Sequence, residues 1–168
     1  VFLDDDDLLF ADHVETLAGT LVLSPTLNAA YALSWDVQSE VNHDQHTLRE
    51  FSYVQHAAHQ QPFSHEELSW RNFIPIQAIV FERALYEAWG GFNESFDYLE
   101  DWDLWRRYAD GAEFVLVPKT TSLYRTPLTG EVSAARQALL DEAYHEVKSS
   151  TDQTLAERAH ARQANQAP

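Results

Sequence analysis

Hydrophobic and polar positions alternate with two different periods along this chain, which separates candidate helices from candidate strands. In ADHVETLAGTLVLSP, apolar side chains recur at three- and four-residue intervals, which predicts a helix that Asp12 caps and Pro25 ends. In AAYALSWDV, the bulky Tyr31, Leu33 and Trp35 alternate with smaller or polar residues, which predicts a strand. The N-terminal VFL predicts a further short, buried strand that ends at a run of aspartates.

The second half of the chain continues the alternation of helices and strands. SHEELSWRN predicts a short helix with a capping box of Ser64 and Glu67, QAIVFE a strand, and RALYEAWGG a helix that ends at its glycines. YLEDWDLWRRYADG predicts a helix that Gly111 ends, and EFVLVP and TSLYR predict two strands separated by a turn at Pro118. Residues 38–62 are polar, and we expect a loop or a mix of short elements there.

The C-terminal stretch from about Glu131 to Gln163 carries helix formers throughout, which predicts one long helix followed by a tail that frays. Strands and helices alternate along the rest of the chain, so the predicted fold class is α/β. The length of 168 residues suits one domain. We divide it into an α/β domain, residues 1–130, and a C-terminal helix and tail, residues 131–168.

Composition and charge narrow the function classes. Hydrophobic residues make up 45% of the chain and aromatic residues 12%, enough for a packed core. Only 11 Lys and Arg stand against 27 Asp and Glu, a net charge of −16, which argues against a nucleic-acid partner because phosphate neutralisation needs a basic surface. The chain has no cysteine, which excludes disulfides, thiolate zinc sites and thiol nucleophiles.

The chain has no apolar run near the ~20 residues of a membrane span and no signal-peptide pattern, so a cytoplasmic location is the default expectation. The first residue is Val1 rather than Met, and the predicted strand VFL begins at once. We therefore expect that the sequence is a piece of a longer chain.

The acidic cluster Asp4–Asp7 lies at the end of the predicted VFL strand, where open α/β sheets bind ligands. In an extended segment, alternate side chains point the same way, so Asp4 and Asp6 would share one side. Such a pair suits Mg²⁺ or Mn²⁺, which prefer oxygen ligands, and a shared cation removes the repulsion between the two carboxylates. The alternative is a solvated acidic turn that favours the dipole of the following helix.

Two other oxygen-ligand motifs can be compared with this cluster. An EF-hand loop counted from Asp4 would need an oxygen ligand at its fifth position and Gly at its sixth, where the chain has Leu8 and Leu9, so it is excluded. Metal-dependent phosphatases of the haloacid dehalogenase type also carry Asp-x-Asp after an apolar strand. Their motif continues with Thr or Val where this chain has Leu8, and this alternative stays open.

A second acidic motif, Glu100 with Asp101, precedes the amphipathic pattern of the predicted WDLWRRY helix. The helix dipole favours an ionised carboxylate at this end, and such a group can act as a general base toward a hydroxyl nucleophile. The alternative is structural, with helix capping and an ion pair from Asp101 or Asp103 to Arg106 or Arg107.

In their order, the segments FLDDDD, NFIPIQAIVFERALYEAWGGF, GGFNESF, EDWDLWRR and SLYR closely resemble the family 2 glycosyltransferases of the GT-A fold. The resemblance covers about residues 1–126, and about 95 residues separate the two acidic motifs. It implies a GT-A-like, Rossmann-like mixed sheet with flanking helices. The implied substrates are a nucleotide-diphosphate sugar donor and a carbohydrate or other hydroxyl acceptor.

The resemblance also implies roles for single residues. Asp6 would contact the Mg²⁺ or Mn²⁺ that holds the donor diphosphate, and Asp4 would lie near the ribose or the metal. Asp101 would be the catalytic base of an inverting transfer, with Glu100 beside it at the acceptor site. Arg125 would meet a phosphate of the donor, unless it is a buried structural arginine.

Two tryptophans of the same motif, Trp102 and Trp105, would offer a sugar-stacking surface on the acceptor side. The alternative interpretation for one of them is core packing of the helix.

The sequence departs from the family pattern in two places. The nucleotide-binding region that precedes the Asp-x-Asp strand in the family is absent, so we expect an incomplete catalytic domain that is inactive alone, with the missing part upstream. Many members follow YR with a His, whereas this chain has YRTPLTG. A non-catalytic GT-A-like remnant that binds a carbohydrate or a partner, through its long C-terminal helix, is therefore the non-enzymatic alternative.

Five of the eight histidines fall in residues 43–65: His43, His46, His56, His59 and His65. His43 and His46, like His56 and His59, are three residues apart, a spacing that on a helix would place each pair on one face. A zinc or nickel site and solvated surface histidines are the two interpretations.

Overall fold

The computed structural model describes residues 1–42, 44–128 and 130–166. Its centre is a five-stranded mixed sheet, and helices lie between the strands along the chain and after the last one. The strands are β1 (Leu8–Leu9), β2 (Ala29–Asn42), β3 (Thr47–Val54), β4 (Ile79–Phe81) and β5 (Phe114–Pro127). The helices are α1 (His13–Leu23), α2 (His65–Trp70), α3 (Arg83–Trp89), α4 (Glu100–Tyr108) and α5 (Glu131–Gln166). The predicted α/β class and long C-terminal helix are confirmed.

Strands β2 and β5 pair in parallel along the middle of the sheet, whose order is β1-β5-β2-β3. The other pairings are antiparallel: β1 with β5, β3 with the second half of β2, and β4 with its beginning. Because β2 and β5 run in parallel, their carboxyl ends meet at one edge of the sheet, which is where α/β proteins bind ligands.

The single strand β5 replaces the two predicted strands EFVLVP and TSLYR. Val117 pairs with Ala32 and Thr120 pairs with Leu33, so Pro118 and Lys119 fall between two consecutive partners of β2. This β-bulge accommodates a residue that has no N–H for the ladder, so the proline bends the strand without ending it. The prediction of a turn at Pro118 is wrong for this reason.

Residues 38–62, for which we expected a loop or a mix of short elements, are a mix of elements: the end of β2, the whole of β3 and a short 3-10 helix, Ala57–His59. The outer strand of the β2–β3 hairpin is exposed at nearly every position and therefore lacks an apolar alternation. The strand predicted at VFL is wrong. The segment forms no strand: Val1 and Leu3 are exposed, and Phe2 alone packs inward, with its ring 4.5 Å from Phe92 and 5.6 Å from Phe81. The first strand comes after the aspartates, at β1.

Local signals placed the helices well. Ser64 Oγ accepts a hydrogen bond of 3.1 Å from Glu67 N, so the predicted cap of α2 by Ser64 is confirmed, while the Glu67 carboxylate pairs with Arg71. Asp12 precedes α1 as predicted, but its carboxylate makes no capping bond there and pairs instead with Lys119 of the β5 bulge.

The core forms where α4 packs against the sheet and α2. Trp102 and Trp105 are 0% exposed, and their indole Nε1 atoms donate to the carbonyl oxygens of Leu68 at 2.7 Å and Ile74 at 3.1 Å. Buried indoles with satisfied N–H groups are core residues. The prediction that the two tryptophans offer a sugar-stacking surface is therefore wrong, and the core-packing alternative describes them.

Helix α5 packs along α4 over the same core. The Tyr144 ring stacks on Trp102 with centroids 5.1 Å apart and an interplanar angle of 14°. Thr151 Oγ1 donates a buried hydrogen bond of 2.8 Å to Asp103 Oδ1, and Arg106 pairs with Asp152. The helix continues to Gln166, beyond the predicted start of the frayed tail.

Candidate functional site

A cleft of about 740 Å³ opens at the carboxyl end of β5, and residues of both acidic motifs line it. The predicted site residues that line it are Asp4, Asp6, Glu100, Asp101 and Arg125. The structure thus brings together two motifs that are about 95 residues apart in the chain. The same cleft is also lined by Asn72, Tyr124 and Arg136, which the sequence analysis did not select, by Asp7 of the acidic cluster, and by His59, which it considered only for a zinc or nickel site.

The aspartates preceding β1 form a turn, in which Asp7 N donates to Asp4 O at 3.3 Å. They are therefore not the extended segment that the sequence analysis assumed. Asp4 and Asp6 nevertheless both line the cleft, together with Asp7, whereas Asp5 does not.

Burial and mutual repulsion raise the pKa values of two carboxyls in this turn. Burial, then Asp6 and Asp5, raise the pKa of Asp4. Burial raises the pKa of Asp7 to about 6, with further repulsion from Asp6 and Asp4, against a lowering hydrogen bond from Arg125 N. A cation bound to these oxygens would reverse this effect because it favours the charged carboxylates.

The fit of a divalent cation can be judged from this donor set. Within the described part of the chain, three or more His, Asp or Glu residues nowhere come together in an arrangement suited to a metal ion. Asp4 and Asp6 supply the one or two carboxylates with which Mg²⁺ is usually held, its other ligands being water and substrate phosphates. The residues present therefore fit a cation that binds together with a diphosphate.

Arg125 connects the aspartate turn with the end of β5 and with β3. Its guanidinium donates to the Asp6 carbonyl oxygen and pairs with Glu50 Oε1 at 2.9 Å, while its backbone N donates to Asp7 Oδ1 at 3.2 Å. Arg125 thus has structural partners and also lines the cleft.

Asp101 lies in the first turn of α4 and lines the same cleft as the aspartate turn. The preceding Leu99 has φ 59°, a left-handed conformation that is uncommon for a non-glycine residue and typical of functional sites. Asp101 Oδ1 accepts from Trp102 N at 2.8 Å and Oδ2 accepts from Asn72 Nδ2 at 2.7 Å. Both carboxylate oxygens are therefore fixed in orientation.

The pKa of Asp101 is raised to about 7, mainly by burial and then by the charge of Glu100, against hydrogen bonds from Asn72 and Trp102 N. Burial raises the pKa of Glu100, and the charge of Asp4 raises it further. The influence of Asp4 on the pKa of Glu100 indicates that the two acidic motifs share one electrostatic environment.

Of Asp101 and Asp103, the two aspartates for which the sequence analysis considered a structural ion pair, Asp103 makes it. Asp103 Oδ2 pairs with Arg107 at 2.8 Å in the interior, whereas Asp101 has no ion pair among the described residues. The carboxylate of Asp101 is therefore left to the cleft.

The histidines do not form a metal cluster in the described part of the chain. His56 Nε2 bonds to Asp36 Oδ2 at 2.8 Å, and the His56 and His59 rings lie 5.9 Å apart. His46 and His65 are exposed. His43 lies outside the described residues, so the predicted zinc or nickel site stays untested there.

Sequence signals existed for only some of the missed residues. Asp7 follows the Asp-x-Asp pair directly, and Tyr124 precedes Arg125 within SLYR. Asn72, His59 and Arg136 lie in three separate parts of the chain and meet in the cleft only through the tertiary fold.

A scan against protein families matches residues 1–151 to the family described as glycosyltransferase like family 2. A search of curated proteins finds no match. The mixed sheet, its flanking helices and the long C-terminal helix are consistent with the GT-A-like fold. Among the described helices, none has the length and apolarity that a membrane crossing needs. The match covers most of the chain and agrees with the placement of both acidic motifs in one cleft, so this protein belongs to the glycosyltransferase-like family 2.

Proposed function

We propose that the protein transfers a sugar from a nucleotide-diphosphate sugar to an acceptor hydroxyl, with inversion and with Mg²⁺ or Mn²⁺ at Asp4 and Asp6. Family membership supports glycosyl transfer in general. The observation that supports the finer proposal is the position of Asp101. Its carboxyl has a pKa near 7 and lines the same cleft as Asp4 and Asp6.

In this reaction Asp101 takes the proton of the acceptor hydroxyl. The acceptor oxygen forms a bond to the anomeric carbon, and the bond from that carbon to the phosphate oxygen breaks. The nucleoside diphosphate leaves with the electron pair of the broken bond. A base whose pKa lies near the working pH combines a large ionised fraction with a useful driving force for proton transfer.

The chain's own residues hold this base in place. Asn72 Nδ2 and Trp102 N each donate to one oxygen of Asp101, so the carboxylate does not rotate away from the cleft. A divalent cation held by Asp4 and Asp6 would neutralise negative charge on the departing diphosphate. Arg125, which holds the backbone of Asp6, positions the aspartate turn for this role.

The direct test is release of nucleoside diphosphate from nucleotide sugars by the full-length protein that contains this chain, measured with Mn²⁺ or Mg²⁺ and again with a chelator. Cation-dependent release, with transfer to an acceptor, is the expected result. Inorganic phosphate from a simple phosphomonoester would instead indicate the phosphatase alternative. Absence of turnover with every donor, although carbohydrate still binds, would indicate the non-catalytic alternative.

A further inference from the structure

A second cavity adjoins the cleft along helix α5, and we call it the side groove. Its volume is about 220 Å³, and it lies between the middle of α5 and residues 95–98, which precede α4. Asp97 and Tyr98 line both the side groove and the cleft that holds Asp101. Asp97 is exposed, so the two spaces meet at an open surface.

One face of α5 runs from the cleft into the side groove. Arg136 and Leu140 line the cleft, whereas Ala143 and Val147 line the side groove. These positions follow the spacing i, i+4, i+7 and i+11, which places them in one row along a helix. A ligand that lies along this row would occupy both spaces at once.

Both walls of the side groove are held by the rest of the fold. Asn93 O accepts a hydrogen bond of 3.1 Å from Phe96 N, and the Phe96 side chain packs against the main core. On the other wall, α5 is held to the core by the stacking of Tyr144 on Trp102. The side groove is therefore formed before a ligand binds, as small-molecule sites usually are.

The side groove has apolar surface and little room. Val147 is buried, Phe96 is half-buried, and Leu139 is 40% exposed. Apolar and aromatic side chains of this kind form most of the lining of small-molecule sites. Sites for drug-sized ligands measure about 300–1,000 Å³, so this smaller space suits a single ring.

Every charged residue among those that line the side groove is acidic: Asp97, Glu142 and Glu146. All three are exposed, and within the described part of the chain none of them forms an ion pair. Carboxylates accept hydrogen bonds and donate none, so they suit a ligand that is rich in hydroxyl groups and they repel an anionic one. A neutral sugar ring combines such hydroxyls with an apolar C–H face.

We propose that the side groove binds an uncharged sugar unit of the acceptor, next to the unit that receives the transferred sugar. The acceptor is then at least a disaccharide, with its reacting hydroxyl at Asp101 and its second ring against Phe96. Hydroxyls of that ring donate to Glu142 and Glu146. This inference rests on the proposed glycosyl transfer, because it names the acceptor class of the same site.

The first test compares acceptors of the full-length protein that contains this chain. The probes are the methyl glycosides of glucose, galactose, mannose and N-acetylglucosamine, and the disaccharides cellobiose, lactose, mannobiose and chitobiose. We expect the best disaccharide to have a KM roughly tenfold below that of the best methyl glycoside, as for one added hydrogen bond to a charged group. Equal KM values, or no disaccharide bound, would overturn the assignment.

A matched pair of variants locates this effect in the side groove. Ala143→Leu fills the side groove with a larger side chain that also favours a helix, whereas Ala138→Leu makes the same change at an exposed position of α5 that lines neither space. Ala143→Leu should raise the KM for the disaccharide roughly tenfold and leave both kcat and the KM for the methyl glycoside unchanged. Ala138→Leu should match the wild type. A loss with both acceptors, or with neither, would overturn the assignment.

A second pair tests the charge of the rim. Glu142→Gln removes one carboxylate from the side groove, and Glu157→Gln removes one from an exposed position of α5 outside it. The wild type should bind cellobiose more tightly than cellobiouronic acid, whose second ring carries a carboxylate, and Glu142→Gln alone should reduce this difference. Equal affinities of the wild type for the two disaccharides would overturn the assignment of an uncharged unit.

Disaccharide binding measured by saturation-transfer NMR separates this inference from the proposed function, because it needs no turnover. If binding is lost in Ala143→Leu but no nucleotide sugar is ever turned over, the side groove stands and the proposed function fails. If sugar is transferred and Ala143→Leu behaves as the wild type with every acceptor, the proposed function stands and the side groove fails.

Discussion

Asn72 Nδ2 donates a hydrogen bond of 2.7 Å to Asp101 Oδ2, and this bond lowers a pKa that burial raises to about 7. Asn72 comes from the segment after α2, and Asp101 from the first turn of α4. A residue outside α4 therefore lowers the pKa of the proposed base.

Turnover should rise with pH through an acid limb near pH 7, because Asp101 must be ionised to take a proton. In Asn72→Ala the ionised carboxylate loses a donor, so the pKa of Asp101 should rise and the acid limb should move to higher pH. The kcat–pH profile measures this shift. Asn93→Ala, at a half-buried asparagine outside the cleft, is the control, and an unmoved limb in Asn72→Ala would contradict the assignment.

Asp101→Asn should lower kcat by about 10²–10⁴-fold, the usual contribution of a general base, while nucleotide affinity stays within about twofold. Release of nucleoside diphosphate and equilibrium binding measure the two effects. Asp110→Asn changes the same charge at the other end of the α4 region, away from the cleft. Full turnover by Asp101→Asn would remove Asp101 as the base.

The aspartate turn offers a matched set of variants for the cation. Asp4→Asn and Asp6→Asn should each reduce activation by Mn²⁺ at least tenfold, because each removes an anionic oxygen from the proposed ligand pair. Asp5→Asn changes the same charge at a residue that does not line the cleft and should behave like the wild type. A metal titration of turnover distinguishes them, and equal losses in all variants would point to general electrostatics instead.

Asp7 should make thermal stability depend on pH. Its pKa is raised from 3.8 to about 6 in the folded protein, so the folded state holds this proton more tightly. The corresponding stability is present below pH 3.8 and is lost as pH rises through about 6. Asp7→Asn has no carboxyl that ionises there, and its side-chain oxygen can still accept from Arg125 N. The melting temperature of this variant, relative to that of the wild type, should therefore increase as pH rises from 4 to 7. Asp5→Asn is the control, and a difference that is flat with pH would refute this.

Trp102→Ala should destabilise the protein by about 3–5 kcal/mol, since it removes a fully buried indole and its hydrogen bond to Leu68 O. Urea unfolding gives this free energy. Trp70→Ala, at a 61% exposed indole, should cost about 1 kcal/mol or less. A Trp102→Ala variant with normal stability but weakened sugar binding would instead support the interpretation of Trp102 as a sugar-stacking surface.

Elements with strong local signals could be predicted from the sequence. The Ser64 cap, the amphipathic pattern before Tyr108 and the helix formers after Glu131 each carry their information within one segment. The turn of aspartates and the α4 start were likewise visible as acidic motifs, and their order along the chain indicated the family before the fold brought them together.

The remaining features depend on long-range partners. Exposed β3 has no apolar alternation because its outer face meets solvent, and β5 continues past Pro118 because β2 pairs with it on both sides of the bulge. The burial of Trp102 depends on Tyr144, more than forty residues away. Arg136 and His59 line the same cleft as Tyr124 only once α5 has packed against the rest of the fold.

Two register shifts in β5 set which faces of the sheet its last residues present. Pro118 and Lys119 fall between the partners of Ala32 and Leu33, and Thr121 falls between the partners of Leu33 and Ser34, so β5 holds three extra residues. Since side chains of a strand alternate between faces, the two residues at the first shift keep the parity of the residues that follow, whereas the single residue at the second inverts it. Tyr124 and Arg125 therefore present the faces that they do because of Thr121. Deleting that one residue would exchange their directions relative to β2 while leaving both in the strand.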